Sequence, residues 1–184
     1  MNSRFNKEIE KAVNIVDKYL QDFNFFSHKL IGRQEKKFLP PNLNNILNTE
    51  RLKENSKHFL SSGKRFRAEL IFITKRVYGL STRKIIPLAI FAELLHAASL
   101  IHDDIIDEAK ERRGGSSLNH LFGNRLALMT GNLILTRSFF ELSKVSELKL
   151  FKIVSNVIYS MCVGEIMEIE SLFNEERTLK HYLS

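Results

Sequence analysis

Cysteine, proline and glycine are scarce in this sequence, and each scarcity excludes something. The chain of 184 residues has one cysteine, three prolines and eight glycines. The single cysteine, Cys162, rules out an internal disulfide, and its place in an apolar helical stretch predicts a packing role. Few glycines and prolines favour long helices over turns and strands. No segment alternates strongly between apolar and polar residues, so no half-exposed strand is predicted.

Neither a secretory leader nor a membrane span is expected. The basic residues near the N-terminus are followed by Glu8 and Glu10 instead of an apolar segment. The longest apolar stretch, residues 85–101, is interrupted by Glu93 and His96, which favours a buried helix over a transmembrane segment. We therefore predict a cytoplasmic protein.

The charge balance points to anionic partners. Lysine and arginine total 28 against 21 acidic residues, which gives a net charge of +7. This charge fits anionic ligands, diphosphates included, or contact with an anionic membrane surface. No nucleic-acid partner is expected, because aromatic residues are not interleaved with the basic runs and no nucleic-acid motif occurs. The length suits a single domain over residues 1–184.

Apolar residues recur mainly at helical spacing, which predicts an all-α protein. The predicted helices cover residues 5–26, 43–59, 65–78, 82–109, 125–143, 148–173 and 178 onward. Residues 31–42 are predicted to connect two helices, and residues 118–122 to form a short turn. Gly79 fits a helix C-cap, and Ser81 and Thr82 are candidate N-caps of the helix that follows.

The end of the apolar helix carries three aspartates and then two arginines, Asp103, Asp104, Asp107, Arg112 and Arg113. Helical spacing puts Asp103 and Asp107 on one face with Asp104 beside them. Three neighbouring carboxylates would take up protons unless a cation neutralised them, and oxygen ligands suit Mg²⁺. The arginines offer paired donors to phosphate oxygens. The alternative is a solvated helix end with ordinary i, i+4 charge pairs.

A second group of charges follows Gly63. Lys64, Arg65 and Arg67 place three cations within four residues, beside a glycine that lets a ligand approach the backbone closely. This arrangement is typical of a compact phosphate site. An exposed basic patch or a nucleic-acid contact are the alternatives.

These motifs resemble those of one enzyme family, the trans-polyprenyl diphosphate synthases. The pattern D-D-x-x-D-x-x-x-x-R-R-G in residues 103–114 resembles the family's first aspartate-rich motif. Residues 63–68 resemble G-K-R-x-R-P, with Ala68 in place of proline. Residues 122–133 resemble F-G-N-x-x-A-x-L-x-G-D-x-L, with Asn132 in place of aspartate, and the G-E-x-x-Q motif is matched with Glu168 in place of glutamine.

The resemblance implies an isoprenoid-synthase-type helical bundle around a central cavity, and a reaction that condenses isopentenyl diphosphate with an allylic diphosphate. It implies that three aspartates bind Mg²⁺ and act in catalysis, namely Asp103, Asp104 and Asp107. It also implies that Arg112 contacts the allylic diphosphate. Isopentenyl diphosphate is assigned to four side chains: Lys64, Arg67, His96 and Arg113.

Product length follows from two positions in the resembled family, four and five residues before the first aspartate. Here they are Ser99 and Ala98, both small. An open cavity floor implies a long prenyl product of the kind used as a quinone side chain. The alternative is that these small residues only permit close helix packing.

The family's second aspartate-rich cluster has no counterpart in this sequence, which leads us to expect that the C-terminal helices of the bundle are missing. The chain is then the N-terminal part of a synthase, expected to form a homodimer. The alternative is a shortened, non-catalytic subunit that binds or regulates a full-length partner.

Overall fold

The computed structural model describes residues 2–22, 60, 63–112, 114–171 and 178–179. The chain forms two compact units, Met1–Val145 and Ser146–Ser184. The prediction of a single domain over residues 1–184 stays a prediction. The predicted connection at residues 31–42 and the predicted helix at 43–59 lie outside the described residues.

The described part of the chain is helical apart from one hairpin, which confirms the all-α prediction. The first unit contains α1 (Asn2–Gln21), α2 (Phe66–Val77), α3 (Thr82–Ile106), β1 (Glu111–Arg112), β2 (Gly115–Ser116), α4 (Leu118–Phe122) and α5 (Asn124–Ser143). The strands pair antiparallel, with Glu111 opposite Ser116 and Arg112 opposite Gly115. The second unit contains α6 (Leu148–Glu170).

The central element of the first unit is α3, which packs most extensively on α5 and also contacts α1 and α2. A helix that contacts neighbours on several sides is apolar around most of its circumference, as α3 is. Its buried residues include Ala89, Leu94 and Ile101. Val16 of α1 and Ile134 of α5 are fully buried in the same core.

Two helix ends decide where the site residues lie. Gly79 has a φ of 63°, and the N–H of Leu80 donates to the carbonyl of Lys75 at 3.0 Å, so a Schellman cap ends α2 as expected for this glycine. The predicted helix over residues 82–109 ends earlier, at Ile106. Asp107 is the C-cap, and Glu108 takes a left-handed φ of 52° that cannot continue a helix.

Within the described part of the chain, two helices are long and apolar enough to cross a membrane by length and composition alone. Half of the most apolar 18-residue segment of α3 is buried within the protein, as is typical of a core helix and as predicted for residues 85–101. The corresponding segment of α6 is only 6 % buried. The absence of a transmembrane segment therefore stays a prediction.

Candidate active site

Asp103 and Asp107 lie one turn apart at the C-terminal end of α3. Asp103 is half-buried, Asp107 is exposed, and the N–H of Asp107 donates to the carbonyl of Asp103 at 2.8 Å. Burial raises the pKa of the Asp103 carboxyl, and the negative charge of Asp107 raises that pKa further. Both effects disfavour the charged form of Asp103, and a cation held between the two carboxylates would reverse them.

Asp104 has a different environment from the other two aspartates. It is 1 % exposed, and its Oδ1 accepts hydrogen bonds from Nε of Arg112 at 2.7 Å and from Nη2 of the same side chain. The hydrogen bond to Asp104 raises the pKa of the Arg112 guanidinium. Asp104 Oδ2 is buried, and no described residue donates a hydrogen bond to it. The ion pair ties the hairpin to the end of α3.

The three expected metal-binding carboxylates therefore differ in exposure: Asp103 and Asp107 lie together at the surface, and Asp104 is buried against Arg112. Within the described residues, no three His, Cys, Asp or Glu side chains converge as a metal site. The physical reason is the helical turn of about 100° between successive residues, which directs Asp104 into the protein while Asp103 and Asp107 remain at its surface. The metal role of Asp104 and the phosphate role of Arg112 stay predictions.

The loop after α3 is held by two polar residues that sequence reasoning missed. The Asn119 side-chain amide donates to the carbonyls of Asp104 and Ala109, both at 2.9 Å. Ser117 Oγ donates to the Ala109 carbonyl at 2.6 Å and accepts from the N–H of His120 at 3.3 Å as the N-cap of α4. A serine directly before residues 118–122 is a typical N-cap signal, whereas the contacts of Asn119 carry no local signature.

The basic segment, defined as residues 63–67, leads into α2 and includes its first two residues. Lys64 and Arg67 are exposed, whereas Arg65 is only 5 % exposed. Asp17 of α1 accepts a hydrogen bond from Arg65 Nε at 2.6 Å. Two of the three cations therefore lie at the surface, Lys64 and Arg67, and these are the two that the family resemblance assigns to isopentenyl diphosphate.

A buried glutamate on α3 fixes the start of α2. Glu93 Oε1 accepts from the N–H of Ala68 at 3.1 Å, and Glu93 is buried. This N–H lies in the first turn of α2, where backbone donors have no helical partner. Glu93 therefore caps a helix from outside it, across 25 residues of sequence.

The remaining predicted site residues lie along α3, with one exception. His96 is half-buried, and its carbonyl accepts from Ser99 Oγ at 2.9 Å. Ala98 is 1 % exposed and belongs to the hydrophobic core, whereas Ser99 is half-buried. Arg113 lies outside the described residues.

The close approach of α3 and α5 explains a glycine of the third motif. A Cβ on Gly131 would lie 2.5 Å from Nε2 of His102, so only glycine fits against this imidazole without displacement. Asn132, which replaces the family's aspartate, is exposed.

A groove of about 270 Å³ between α1 and α2 is lined by Ile9, Ile15 and Phe72, among others. None of the predicted site residues lines it, so it does not belong to the aspartate site.

Comparison of the sequence with known proteins finds one family and several of its members. The sequence profile of the family described as Polyprenyl synthetase matches residues 49–184. Heptaprenyl diphosphate synthase component 2 of Bacillus subtilis is 35 % identical over 133 residues, which are 72 % of this chain and 38 % of that protein. Solanesyl diphosphate synthase 1, chloroplastic, of Arabidopsis thaliana is 37 % identical over 131 residues, 68 % of this chain and 32 % of that protein.

The fold comparison agrees. The crystal structure of heptaprenyl diphosphate synthase from Staphylococcus aureus superposes with a TM-score of 0.74 at 25 % identity, over 95 % of this chain and 49 % of that one. The chain thus spans about half of that solved structure and less than two-fifths of the two relatives' lengths. By its sequence profile and its fold, the chain belongs to the polyprenyl synthetase family.

Proposed function

We propose that the protein is an all-trans polyprenyl diphosphate synthase that condenses isopentenyl diphosphate with an allylic diphosphate. One observation carries the proposal: Asp103 and Asp107 lie together at the end of an apolar helix, and burial and mutual repulsion raise the pKa of Asp103. A purely structural helix end gains nothing from neighbouring like charges whose repulsion and burial outweigh the effect of Arg112. A site for a cation and an anionic substrate does gain from them.

Mg²⁺ fits the donor set at this end of α3. Two carboxylates supply oxygen ligands only, and Mg²⁺ commonly takes one or two carboxylates while keeping waters and sharing substrate phosphates. Asp103 and Asp107 would hold it. When bound, Mg²⁺ neutralises negative charge on the diphosphate that leaves the allylic substrate.

Arg112 is oriented for the same diphosphate. A guanidinium carries five N–H donors, and Asp104 engages one on Nε and one on Nη2. The remaining donors can meet phosphate oxygens while Asp104 keeps the guanidinium plane fixed. Asp104 thus serves the site through Arg112, because a preoriented cation loses less freedom on binding.

Lys64 and Arg67 bind the diphosphate of isopentenyl diphosphate in this proposal, with His96 and Arg113 as further contacts. Lys64 and Arg67 are exposed, and no described residue forms an ion pair with either. These two surface cations lie three residues apart and can bind one diphosphate together. The lysine ammonium acts as a point charge, and the planar guanidinium of the arginine can donate two hydrogen bonds side by side.

The product is proposed to be a long prenyl chain that serves as a quinone side-chain precursor. Ser99, which is small and half-buried, is the position where a bulky residue would limit chain growth. Ala98 is packed in the core, so a large residue there would disturb helix packing before it shortened a product.

A second subunit and a cytoplasmic location are also proposed. The Bacillus subtilis relative is named as component 2 of its synthase, which supports pairing with a second chain, either a copy of this one or another component. Sedimentation analysis of the complete protein distinguishes a monomer from these assemblies.

The activity is tested by incorporation of radiolabelled isopentenyl diphosphate into products, with the complete protein, an allylic diphosphate and Mg²⁺. Product is expected, and it should disappear with a chelator and in Asp103→Asn. Glu111→Gln, which changes an exposed acid in β1, is the matched control and should keep activity. Equal turnover in Asp103→Asn and Glu111→Gln would refute the assignment. Chromatography of products from Ser99→Phe should show shorter chains.

A further inference from the structure

The three cations of the basic segment have different environments. Lys64 and Arg67 are exposed, while the guanidinium of Arg65 is turned inward. Its Nε donates to Asp17 Oδ1 at 2.6 Å, and its Nη2 donates to the carbonyl of Leu60 at 2.6 Å. A guanidinium engaged in this way does not face a ligand at the surface, so Arg65 needs a role other than direct binding.

The backbone of Arg65 gives the second observation. Arg65 is the N-cap of α2 and has φ 55° and ψ 28°, in the left-handed region that disfavours residues with a Cβ. Such a conformation persists only when the surroundings hold it in place. The hydrogen bonds from the Arg65 side chain to Asp17 and Leu60 are contacts that can do so.

This turn sets where the exposed cations lie. Lys64 comes directly before it, and Arg67 lies in the first turn of the helix that follows. On the other side, Glu93 holds the N–H of Ala68. The segment is therefore attached to α1 through Asp17, and the residue directly after it, Ala68, is attached to α3 through Glu93.

We propose that Arg65 and Asp17 are positioning residues for the diphosphate of isopentenyl diphosphate. Their ion pair holds the left-handed turn that presents Lys64 and Arg67 together. The inference rests on the proposed function, since it takes these two exposed cations as the diphosphate ligands.

Neutralising Asp17 separates positioning from simple electrostatics, because the two predict opposite signs. Asp17→Asn removes a negative charge close to an anion site and releases a cation. If only net charge mattered, the affinity for a diphosphate would rise. If the ion pair positions the segment, the affinity falls although the site has become more positive.

The test is calorimetric titration of the complete protein with isopentenyl diphosphate in the presence of a chelator, which removes metal-mediated binding. Asp17→Asn is expected to weaken binding about tenfold, as is common when a group that orients a ligand-binding residue is lost. Arg65→Gly should weaken it as well, although glycine adopts the left-handed turn freely. If either variant fails to fold in a melting experiment, Arg65→Lys is titrated in its place, because it keeps the positive charge but not the planar guanidinium.

Glu8→Gln is the matched control. Glu8 is also on α1 and forms an ion pair with Arg76 of α2 at 3.2 Å, so the variant removes the same charge from the same helix pair. Arg76 lies eleven residues after Arg65, about 16 Å farther along the helix. The affinity for isopentenyl diphosphate should not fall in Glu8→Gln.

The outcomes are distinguishable. Weaker binding in Asp17→Asn with unchanged binding in Glu8→Gln supports the inference. Unchanged or tighter binding in Asp17→Asn, with weaker binding in Lys64→Ala and Arg67→Ala, overturns it and leaves the proposed function intact. Unchanged binding in both of these alanine variants overturns the ligand assignment of the proposed function and the inference with it.

Steady-state kinetics supply a readout that a general loss of structure would not give. In Asp17→Asn, the KM for isopentenyl diphosphate should rise while the KM for the allylic diphosphate stays the same. A parallel rise of both would show a structural role only and would overturn the inference.

Discussion

Two regions of the first unit place carboxylates next to other charges, with opposite results. Glu141 of α5 is 1 % exposed, and it accepts hydrogen bonds from Tyr19 at 2.7 Å and from Lys144 at 2.8 and 2.6 Å. Arg137 lies 3.4 Å from it as a further ion-pair partner. Asp103, at the end of α3, has another carboxylate as its neighbour and a raised pKa.

The difference separates a carboxylate that stabilises the fold from one that is available to a ligand. Around Glu141, two cations and a phenol compensate one buried charge, and the group joins α1 to α5. Burial raises the pKa of Tyr19 most, and the hydrogen bond to Glu141 raises it further. The phenol therefore keeps its proton and remains a hydrogen-bond donor. Arg112 offsets the charge of Asp103 only in part, so the pKa of Asp103 stays raised, and a cation from solution would supply the remaining compensation.

The largest effect is expected from breaking the compensated cluster. Glu141→Ala leaves Arg137 buried without its carboxylate and should lower the free energy of unfolding by about 3 kcal/mol. Lys144 can turn to solvent, which keeps the loss at the low end of that range. Chemical denaturation measures it. Glu147→Ala, at an exposed glutamate, should change the stability by less than about 0.5 kcal/mol. Equal losses in the two variants would contradict the role given to Glu141.

Breaking the Asp103–Asp107 pair should have the reverse consequence, a loss of turnover without a loss of stability. Asp107→Asn should reduce turnover by roughly 10²–10³-fold, because one preorganised electrostatic contact to the reacting groups is lost. Its melting temperature should not fall, since no described residue forms an ion pair with Asp107. Radiolabel incorporation and thermal melts on the same preparations test both halves. A marked loss of stability would place Asp107 with Glu141 as a structural carboxylate.

The contact between α3 and α5 gives a smaller expected effect. Gly131→Ala introduces a Cβ 2.5 Å from Nε2 of His102 and should destabilise by about 1–3 kcal/mol. Gly164→Ala in α6 is the control, because a Cβ there meets nothing within 4 Å. Alanine at that helical position should stabilise by about 0.5–1 kcal/mol. In denaturation experiments, the free energy of unfolding should fall in Gly131→Ala and rise in Gly164→Ala. A change of the same sign in both variants would contradict the steric explanation.

What could be predicted from the sequence depends on how far apart the interacting residues are. Helical period and local caps predicted α2, α3 and α5 to within a few residues, except that α3 ends at Ile106 because Glu108 adopts a left-handed turn. Spacing alone brought Asp103 and Asp107 together. It did not show which face of α3 is buried, and hence missed that Asp104 points inward.

The contacts that position the site join residues distant in sequence, and no local pattern reveals them. Asp17 and Arg65 are 48 residues apart, and Ala68 and Glu93 are 25 apart. Asp17 sits among the polar residues of an amphipathic helix, where a solvated carboxylate is the ordinary expectation. The three-dimensional contact alone distinguishes it from its neighbours.

The smallest expected effect is on the pH dependence of stability, and it follows from the raised pKa of Asp103. The unfolded chain has an ordinary carboxyl at this position, so the folded protein binds the proton at a pH where the unfolded chain has lost it. Stability of the ligand-free protein therefore falls as pH rises through the window between the two pKa values, and the loss is complete above the folded value.

Asp103→Asn replaces the titrating carboxyl with a neutral amide, which tests whether Asp103 differs from Glu141 in its effect on stability. At neutral pH the ligand-free variant should melt above the unaltered protein, and this advantage should shrink as the pH falls into the acidic range. With Mg²⁺ and a diphosphate present, the order should reverse at neutral pH, because the ligands stabilise only the protein that retains the carboxylate. Melting curves over an acidic-to-neutral series, with and without ligands, measure all three. A variant less stable than the unaltered protein at neutral pH without ligands would mean that Asp103, like Glu141, is compensated within the fold.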